Sequence, residues 1–357
     1  MPKLTLDNQE IDFKEGDTLL QLADKISVSI PTLCHDSRLA PVGACRTCLV
    51  EIEGWRRLAP SCATLAKEGM VVTSTNTRIE RHRKNLLALY LADHPQDQDA
   101  CERTGPDEVH TMANEVAAPR DYMALENIRE DRPLDDNPYV HFDAEKCIVC
   151  ARCTRYCDEI EAVSAITLAG RGSETTIATA DARSLYDTTC ELCGGCIDVC
   201  PTGAMTEKRP LLRGEKSELE LKKVRTTCNY CGVGCQMDLN VDEEQDKVVK
   251  VTSPPAGTTS NDGNLCVKGR FAYDFIHHEE RLTDPLIRND DGSFRKASWE
   301  EAIDTAAKGF LRIKEKYGKD SLAFVSSSRC TGEENYLMQK ISRAAFGTNN
   351  CHQCAAT

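Results

Sequence analysis

Apolar and polar residues alternate over residues 3–6 and again over 11–13, on either side of Asp7-Asn8, and this period of two around a turn dipeptide predicts a hairpin. A helix is expected next, capped by Asp17, with Leu19, Leu20, Ala23 and Ile26 on one face. Leu49-Val50-Glu51-Ile52 and residues 71–73 read as further strands, and 79–93 as a longer helix. Two β-rich segments flank Gly170-Arg171-Gly172 and predict a second hairpin. Near the end, Ser298-x-x-Glu301 has the form of a capping box. It opens a helix with Ala302, Ile303, Ala306, Phe310 and Ile313 on or near one face, closed by Gly318. Leu322-Ala323-Phe324-Val325 reads as a buried strand, and 333–346 as another helix, so strand and helix begin to alternate as in an α/β domain.

Composition changes this picture in one respect. The chain has 357 residues, a prior of two to three domains at ~150 residues each, but it carries 20 cysteines. No run approaches the ~18 apolar residues of a membrane span, and MPKLTLDNQEIDF lacks the basic and apolar regions of a signal peptide. A reducing cytoplasmic setting is therefore expected, where clustered cysteines bind metal or do redox chemistry instead of forming disulfides. The net charge of −13 argues against nucleic acid or an anionic membrane as partner and favours basic ones.

The cysteines fall into four groups of four. Cys147-x2-Cys150-x2-Cys153-x3-Cys157 is repeated as Cys190-x2-Cys193-x2-Cys196-x3-Cys200-Pro201, an internal duplication. In such a run three thiolates wrap one 4Fe-4S cluster, and the fourth completes the other run's site. Cys147, Cys150 and Cys153 are therefore expected with Cys200, and Cys190, Cys193 and Cys196 with Cys157. Zinc, which takes four ligands from paired CxxC units, would leave surplus thiolates here. Cys34-x10-Cys45-x2-Cys48-x13-Cys62 lies in a strand and helix order that fits a β-grasp sheet, with a cysteine loop at its edge for a 2Fe-2S cluster. A zinc-stapled β domain is the alternative for this group. Cys228-x2-Cys231-x3-Cys235 and, 30 residues on, Cys266 can hold a third 4Fe-4S cluster, zinc again being the alternative.

In this order, with Cys266-Val267-Lys268-Gly269 in the last group, the chain resembles the catalytic (alpha) subunit of cytosolic molybdenum- or tungsten-dependent formate dehydrogenases. The first two modules also resemble those of iron-iron hydrogenases and of the iron-sulfur subunit of NADH:quinone oxidoreductase. The resemblance implies an α+β multi-domain chain: a β-grasp 2Fe-2S ferredoxin at 1–78, a small helical domain at 79–120, a double 4Fe-4S ferredoxin module at 138–210, a 4Fe-4S domain of the bis-pterin type at 221–277, and the start of an α/β molybdopterin oxidoreductase domain at 278–357. It implies that Lys268 relays electrons between cluster and pterin, that formate is oxidised to CO2 in the full-length enzyme, and that electrons leave to NADH/flavin or hydrogenase-type iron-sulfur subunits. One 2Fe-2S and three 4Fe-4S clusters are expected here, with a molybdenum or tungsten bis-molybdopterin guanine dinucleotide only in the full-length enzyme. A competing class is a stand-alone electron carrier similar to diaphorase subunits of NAD-linked hydrogenases; a zinc scaffold is a third.

Two departures stand out. Hydrogenase-like relatives carry H-x3-C-x2-C-x5-C after the 2Fe-2S domain, and here those positions are His94, Gln98, Cys101 and Asp107. A neutral amide and a hard oxygen replace two thiolates, so the expectation is a degenerate helical domain without a cubane, His94 being an ordinary residue at a helix end. The family's cysteine or selenocysteine metal ligand aligns with position 358, just past Thr357, so the sequence is expected to be a selenoprotein read as ending at its UGA codon. Cys351-x2-Cys354 is expected to line the pocket of that loop.

Overall fold

The computed structural model describes residues 1–121 and 137–354. At the N-terminus β1 (Lys3–Leu6) and β2 (Gln9–Asp12) form the expected hairpin, Leu4 opposite Ile11, with Asp7 and Asn8 both at positive φ as a two-residue turn of this hand requires. Helix α1 (Leu19–Lys25) crosses a sheet completed by β3 (Leu49–Ile52), β4 (Ala59–Pro60) and β5 (Val71–Thr73), in the order β2-β1-β5-β3-β4. Leu4, Leu6, Leu19, Leu22, Val50, Ile52 and Val72 fill the space between helix and sheet. The cap differs from expectation by one position. Thr18, in extended backbone, accepts from Gln21 N, and the Gln21 side chain accepts from Thr18 N in return. Asp17 instead accepts from Lys25 Nζ at 2.7 Å.

The sixteen-residue helix α2 (Thr77–Ala92) is capped by Asn76 and buries Ile79, Leu87 and Leu91. Short α3 (Gln98–Glu102) and α4 (Glu108–Glu115) follow, α4 lying against α2. In the next unit β6 (Val140–Phe142) pairs antiparallel with the distant β9 (Met205–Glu207), closing the ends of the duplicated segment on each other. Between them lie α5 (Arg152–Arg155), the hairpin β7 (Thr167–Ala169) and β8 (Thr176–Ala178), and α6 (Gly195–Asp198). The hairpin sits between the two cysteine runs, as the Gly170-Arg171-Gly172 signal predicted.

After α7 (Lys208–Arg213) an antiparallel meander of β10 (Lys222–Thr227), β11 (Gln236–Asp242) and β12 (Lys247–Thr252) supports α8 (Val267–Phe271). The hairpin β13 (Leu286–Arg288) and β14 (Phe294–Lys296) leads to α9 (Trp299–Tyr317). Then β15 (Phe324–Ser327), α10 (Gly332–Lys340) and β16 (Cys351–Cys354) form a β-α-β unit whose strands run parallel. Ser298 caps α9 at Glu301 N, but the Glu301 carboxylate pairs with Arg295 instead of closing the box. Of the expected apolar face of α9, Ala302 and Ile313 are half-buried and Phe310 meets Phe324 and Phe346, while Ile303 stays 63% exposed, and Val325 of the strand 64%. The pattern marked an amphipathic helix, while Ile303 and Ala306 on that face stay exposed among the described residues.

Candidate functional site

Cys34, Cys45, Cys48 and Cys62 converge at the edge of the five-stranded sheet, all of them buried. Cys45 N donates to Cys34 Sγ at 3.4 Å, and the Cys48 and Cys62 sulfurs lie 3.4 Å apart. Hydrogen bonding within each pair holds the Cys45 and Cys48 thiols below their ordinary range. The same contacts and burial raise Cys34 and Cys62. The loop is held from behind by a residue that the cysteine pattern gave no reason to notice. Arg83 of α2 is buried and donates to Thr47 O at 3.1 Å, Leu49 O at 3.1 Å and Ser74 O at 3.0 Å.

The duplicated runs form two cavities. One is lined by Cys147, Cys150, Cys153 and Cys200, the other by Cys157, Cys190, Cys193 and Cys196, so each gathers three cysteines of one run and the last of the other. The duplication extends to the backbone. Val149 N donates to Cys147 Sγ and Leu192 N to Cys190 Sγ, each at 3.4 Å, from residues at φ +55° and +54°. A left-handed valine or leucine is uncommon, costing roughly 1–2 kcal/mol, and persists only where its surroundings over-determine it. Here it turns the amide toward the sulfur. Ala165 N to Cys157 Sγ, 3.2 Å, and Met205 N to Cys200 Sγ, 3.4 Å, do the same for the last cysteine of each run.

The donor chemistry of these cavities fits a cationic metal cluster. Burial drives the Cys153 and Cys196 thiols well above their ordinary range and those of Cys150 and Cys193 to about 12. Crowded thiols in such surroundings become thiolates only against a compensating positive charge.

Cys228, Cys231 and Cys235 occupy the turn between β10 and β11, closed by Cys228 N donating to Cys235 O at 2.8 Å, and Cys266 stands at the start of α8. Burial and the neighbouring thiols, Cys266 among them, raise Cys228 and Cys235. A Cβ on Gly269 would lie 3.6 Å from Cys228 Sγ. Lys268 is exposed on the same short helix.

The groups are neighbours in a definite order. Leu33, Cys34 and Cys45 share one apolar cluster with Leu87, Leu91, Ile148 and Cys150, so the first group abuts the first ferredoxin loop. Arg155 Nη2 ties Cys34 O across this seam at 2.5 Å. At the other end Cys193 and Cys266 line a single cavity with Glu161 and Glu191. There the buried Arg270 donates from Nε to Cys193 O at 2.9 Å, and Tyr156 Oη donates to Asn264 Oδ1 at 2.6 Å.

His94 is not an ordinary residue at a helix end. It lies just beyond α2, buried, with Nε2 2.7 Å from Asp107 Oδ2 and 4.0 Å from Cys101 Sγ. Burial opposes ionisation of Asp107, but the His94 partner and the backbone N–H of His110 keep its carboxyl below the usual range. Burial, with Asp107 nearby, pushes the Cys101 thiol up to about 12. Gln98 turns away, bonding Glu102 and Asn114. His110, one helical turn after Asp107, joins the group; that i, i+3 spacing was the signal in the sequence.

Four family models match the chain: a 2Fe-2S iron-sulfur cluster binding domain over 2–77, the ferredoxin-like domain of NADH-quinone oxidoreductase subunit 3 over 137–206, the molybdopterin oxidoreductase Fe4S4 domain over 221–278, and molybdopterin oxidoreductase over 281–357. The alpha subunit of NADPH-Fe(3+) oxidoreductase from Geobacter sulfurreducens is 35% identical over 351 residues, 98% of this chain and 40% of its own. An NADH-quinone oxidoreductase subunit from Rhizobium meliloti is 34% identical over the same shares, and a Staphylococcus haemolyticus protein named "Putative formate dehydrogenase" is 31% identical over 99% of this chain and 39% of its own. The chain thus spans about 40% of the length of these relatives. Among solved structures, an NAD+-reducing [NiFe]-hydrogenase in the H2-reduced state aligns with a TM-score of 0.53 at 28% identity, covering 58% of this chain and 87% of that one.

Proposed function

The chain is an iron-sulfur electron-transfer module joined to the opening of a molybdopterin oxidoreductase domain, and from that premise we propose that it forms the electron-conducting part of a formate dehydrogenase. The observation that carries the reading is the unbroken succession of cysteine groups. The first abuts the Cys150 loop, and the Cys193 loop shares a cavity with Cys266 at the threshold of the molybdopterin domain.

In this reading Cys34, Cys45, Cys48 and Cys62 hold a 2Fe-2S cluster. Cys147, Cys150, Cys153 and Cys200 hold one 4Fe-4S cluster, Cys190, Cys193, Cys196 and Cys157 a second, and Cys228, Cys231, Cys235 and Cys266 a third. When bound, these clusters supply one-electron redox centres of a type whose potentials range from roughly −700 to +450 mV, set by charge, hydrogen bonds to sulfur and exposure. The chain's own residues set those terms: the backbone amides of Val149, Leu192, Ala165 and Met205 point at sulfurs, and the apolar seam around Leu33 and Leu91 excludes water. Lys268, exposed on α8 beside the last group, is assigned the handover to the pterin side. Formate, a molybdenum or tungsten bis-pterin cofactor and a flavin or hydrogenase-type partner subunit belong to this proposal for the whole protein.

The test is anaerobic addition of formate to the full-length protein. Bleaching of the cluster absorbance, with stoichiometric molybdenum or tungsten, is the expected result. A second reading, a carrier subunit serving a separate catalytic chain, is favoured by the alignment to nearly the whole of the hydrogenase chain. Clusters that dithionite reduces and formate leaves oxidised, in a protein without pterin, would establish that reading instead.

A further inference from the structure

We propose that His94, Cys101, Asp107 and His110 bind one divalent ion of the zinc class, a mononuclear site separate from the iron-sulfur ligands. The four side chains come from the end of α2, from α3, from the cap of α4 and from its first turn, and all are buried. One ligand atom from each lies within 4.8 Å of the other three.

The donor set balances a divalent ion. One thiolate and one carboxylate cancel a charge of +2 and two imidazoles stay neutral, so the occupied site carries no net charge into a buried position. Zinc accepts this mixture of sulfur, nitrogen and oxygen, whereas a cubane asks for a ligand on each of four irons, and only one thiolate is present. Bonds of ~2.0–2.3 Å in a tetrahedron separate ligand atoms by roughly 3.3–3.8 Å. The 4.0 Å between Cys101 Sγ and His94 Nε2 is close to that, and the 2.7 Å between His94 and Asp107 must open by about half an ångström.

The surroundings of Cys101 also suit an ion. The Cys101 sulfur lies 4.0 Å from His94 Nε2 and 3.9 Å from Pro95 O, with the Asp107 carboxylate beside it. Nearby, Lys146 Nζ donates to Ala100 O and Cys101 O at 3.4 Å and to Thr104 Oγ1 at 3.1 Å, a buried positive charge that favours the thiolate. Occupancy costs His110 one of its present partners, Pro95 O at 3.0 Å on Nε2 or the Arg120 guanidinium at 3.3 Å on Nδ1.

Such an ion would staple three helices at the junction with the ferredoxin unit. Glu108 N already donates to Pro201 O there at 2.8 Å, and Thr104 Oγ1 to Gly203 O at 3.3 Å. Its role is therefore structural.

The experiment is metal analysis of the cluster-loaded chain, expressed with zinc in the medium and dialysed against chelator. One zinc per chain is expected. Cys101→Ser and His110→Gln should each lower it at least tenfold with iron unchanged, which separates ligand loss from collapse of the fold. Cobalt(II) offered in place of zinc should show four-coordinate d–d bands and a thiolate charge-transfer band that Cys101→Ser abolishes. The proposal is overturned if the wild-type chain retains no zinc and takes up none from added zinc chloride. It is equally overturned if Cys101→Ser releases about four irons, the mark of a cubane at this place.

Discussion

Replacing Gly194 by alanine should separate the last cysteine group from the ferredoxin loops. The residue sits at φ +74°, and a Cβ placed there would lie 2.3 Å from Arg270 Cδ and 2.7 Å from Phe271 Cζ, both on α8. A left-handed alanine costs about 1–2 kcal/mol. Overpacking against a helix in close contact adds about 1–3 kcal/mol. If Arg270 moves to make room, its charge-assisted bond to Cys193 O goes too, a further loss of roughly 1.5–3 kcal/mol. Gly214 is the control, since it has φ +63° with nothing within 4 Å of its Cβ position, so alanine there meets only the backbone penalty. Thermal unfolding followed by cluster absorbance should place Gly194→Ala below Gly214→Ala by several degrees, at ~2–4 °C per kcal/mol. Freeze-quench spectroscopy after reduction should also show slower equilibration between the Cys266 group and the others. Equal midpoints and unchanged equilibration in the two variants would refute the close approach of α8 to the Cys193 loop.

Cys157→Ser and Cys200→Ser should each weaken the cluster of the other run, so the former disturbs the signal of the Cys190 loop and the latter that of the Cys147 loop; the reverse assignment by resonance spectroscopy would contradict the crossed arrangement. Arg83→Met leaves three buried carbonyls without this donor and should cost about 1–3 kcal/mol or more, with visible circular dichroism of the 2Fe-2S centre lost before the 4Fe-4S absorbance. Burial opposes ionisation of Glu218, but Lys250 and Lys223 outweigh it and hold its carboxyl at about 2. A depressed carboxyl stabilises the fold above its unfolded value and loses that contribution as pH falls through the folded one. Glu218→Gln should therefore cost roughly 3 kcal/mol at pH 7, and its deficit in urea unfolding should shrink from about pH 4 toward pH 2; a deficit independent of pH would rule out the ion pairs as its source.

The cysteine groups were legible because most of their members repeat at short, regular spacings along the chain. The crossed gathering of Cys157 and Cys200 follows from the same periodicity. What the sequence concealed acts across long separations. Arg83 braces a loop some 36 residues earlier, and Arg270 reaches a carbonyl 77 residues away. Neither position differs in pattern from a solvated arginine. The cap fell at Thr18 and not at the expected Asp17, a one-position difference that turns on backbone angles which composition does not resolve. His94 was judged against a four-position template in which Asp107 counted as a lost thiolate; outside that template, Asp107 and His110 are neighbours on one turn of α4. The apolar face of α9 was read correctly as a pattern, yet exposure depends on what lies opposite, which no pattern records.

The most direct measurement is iron and acid-labile sulfide per chain after anaerobic purification, with low-temperature electron paramagnetic resonance of the reduced protein. One 2Fe-2S and three 4Fe-4S clusters require about 14 irons with equal sulfide. A value near 10 would remove one cubane from the succession, and several equivalents of zinc with little iron would show that the cysteine groups staple a scaffold instead of carrying electrons.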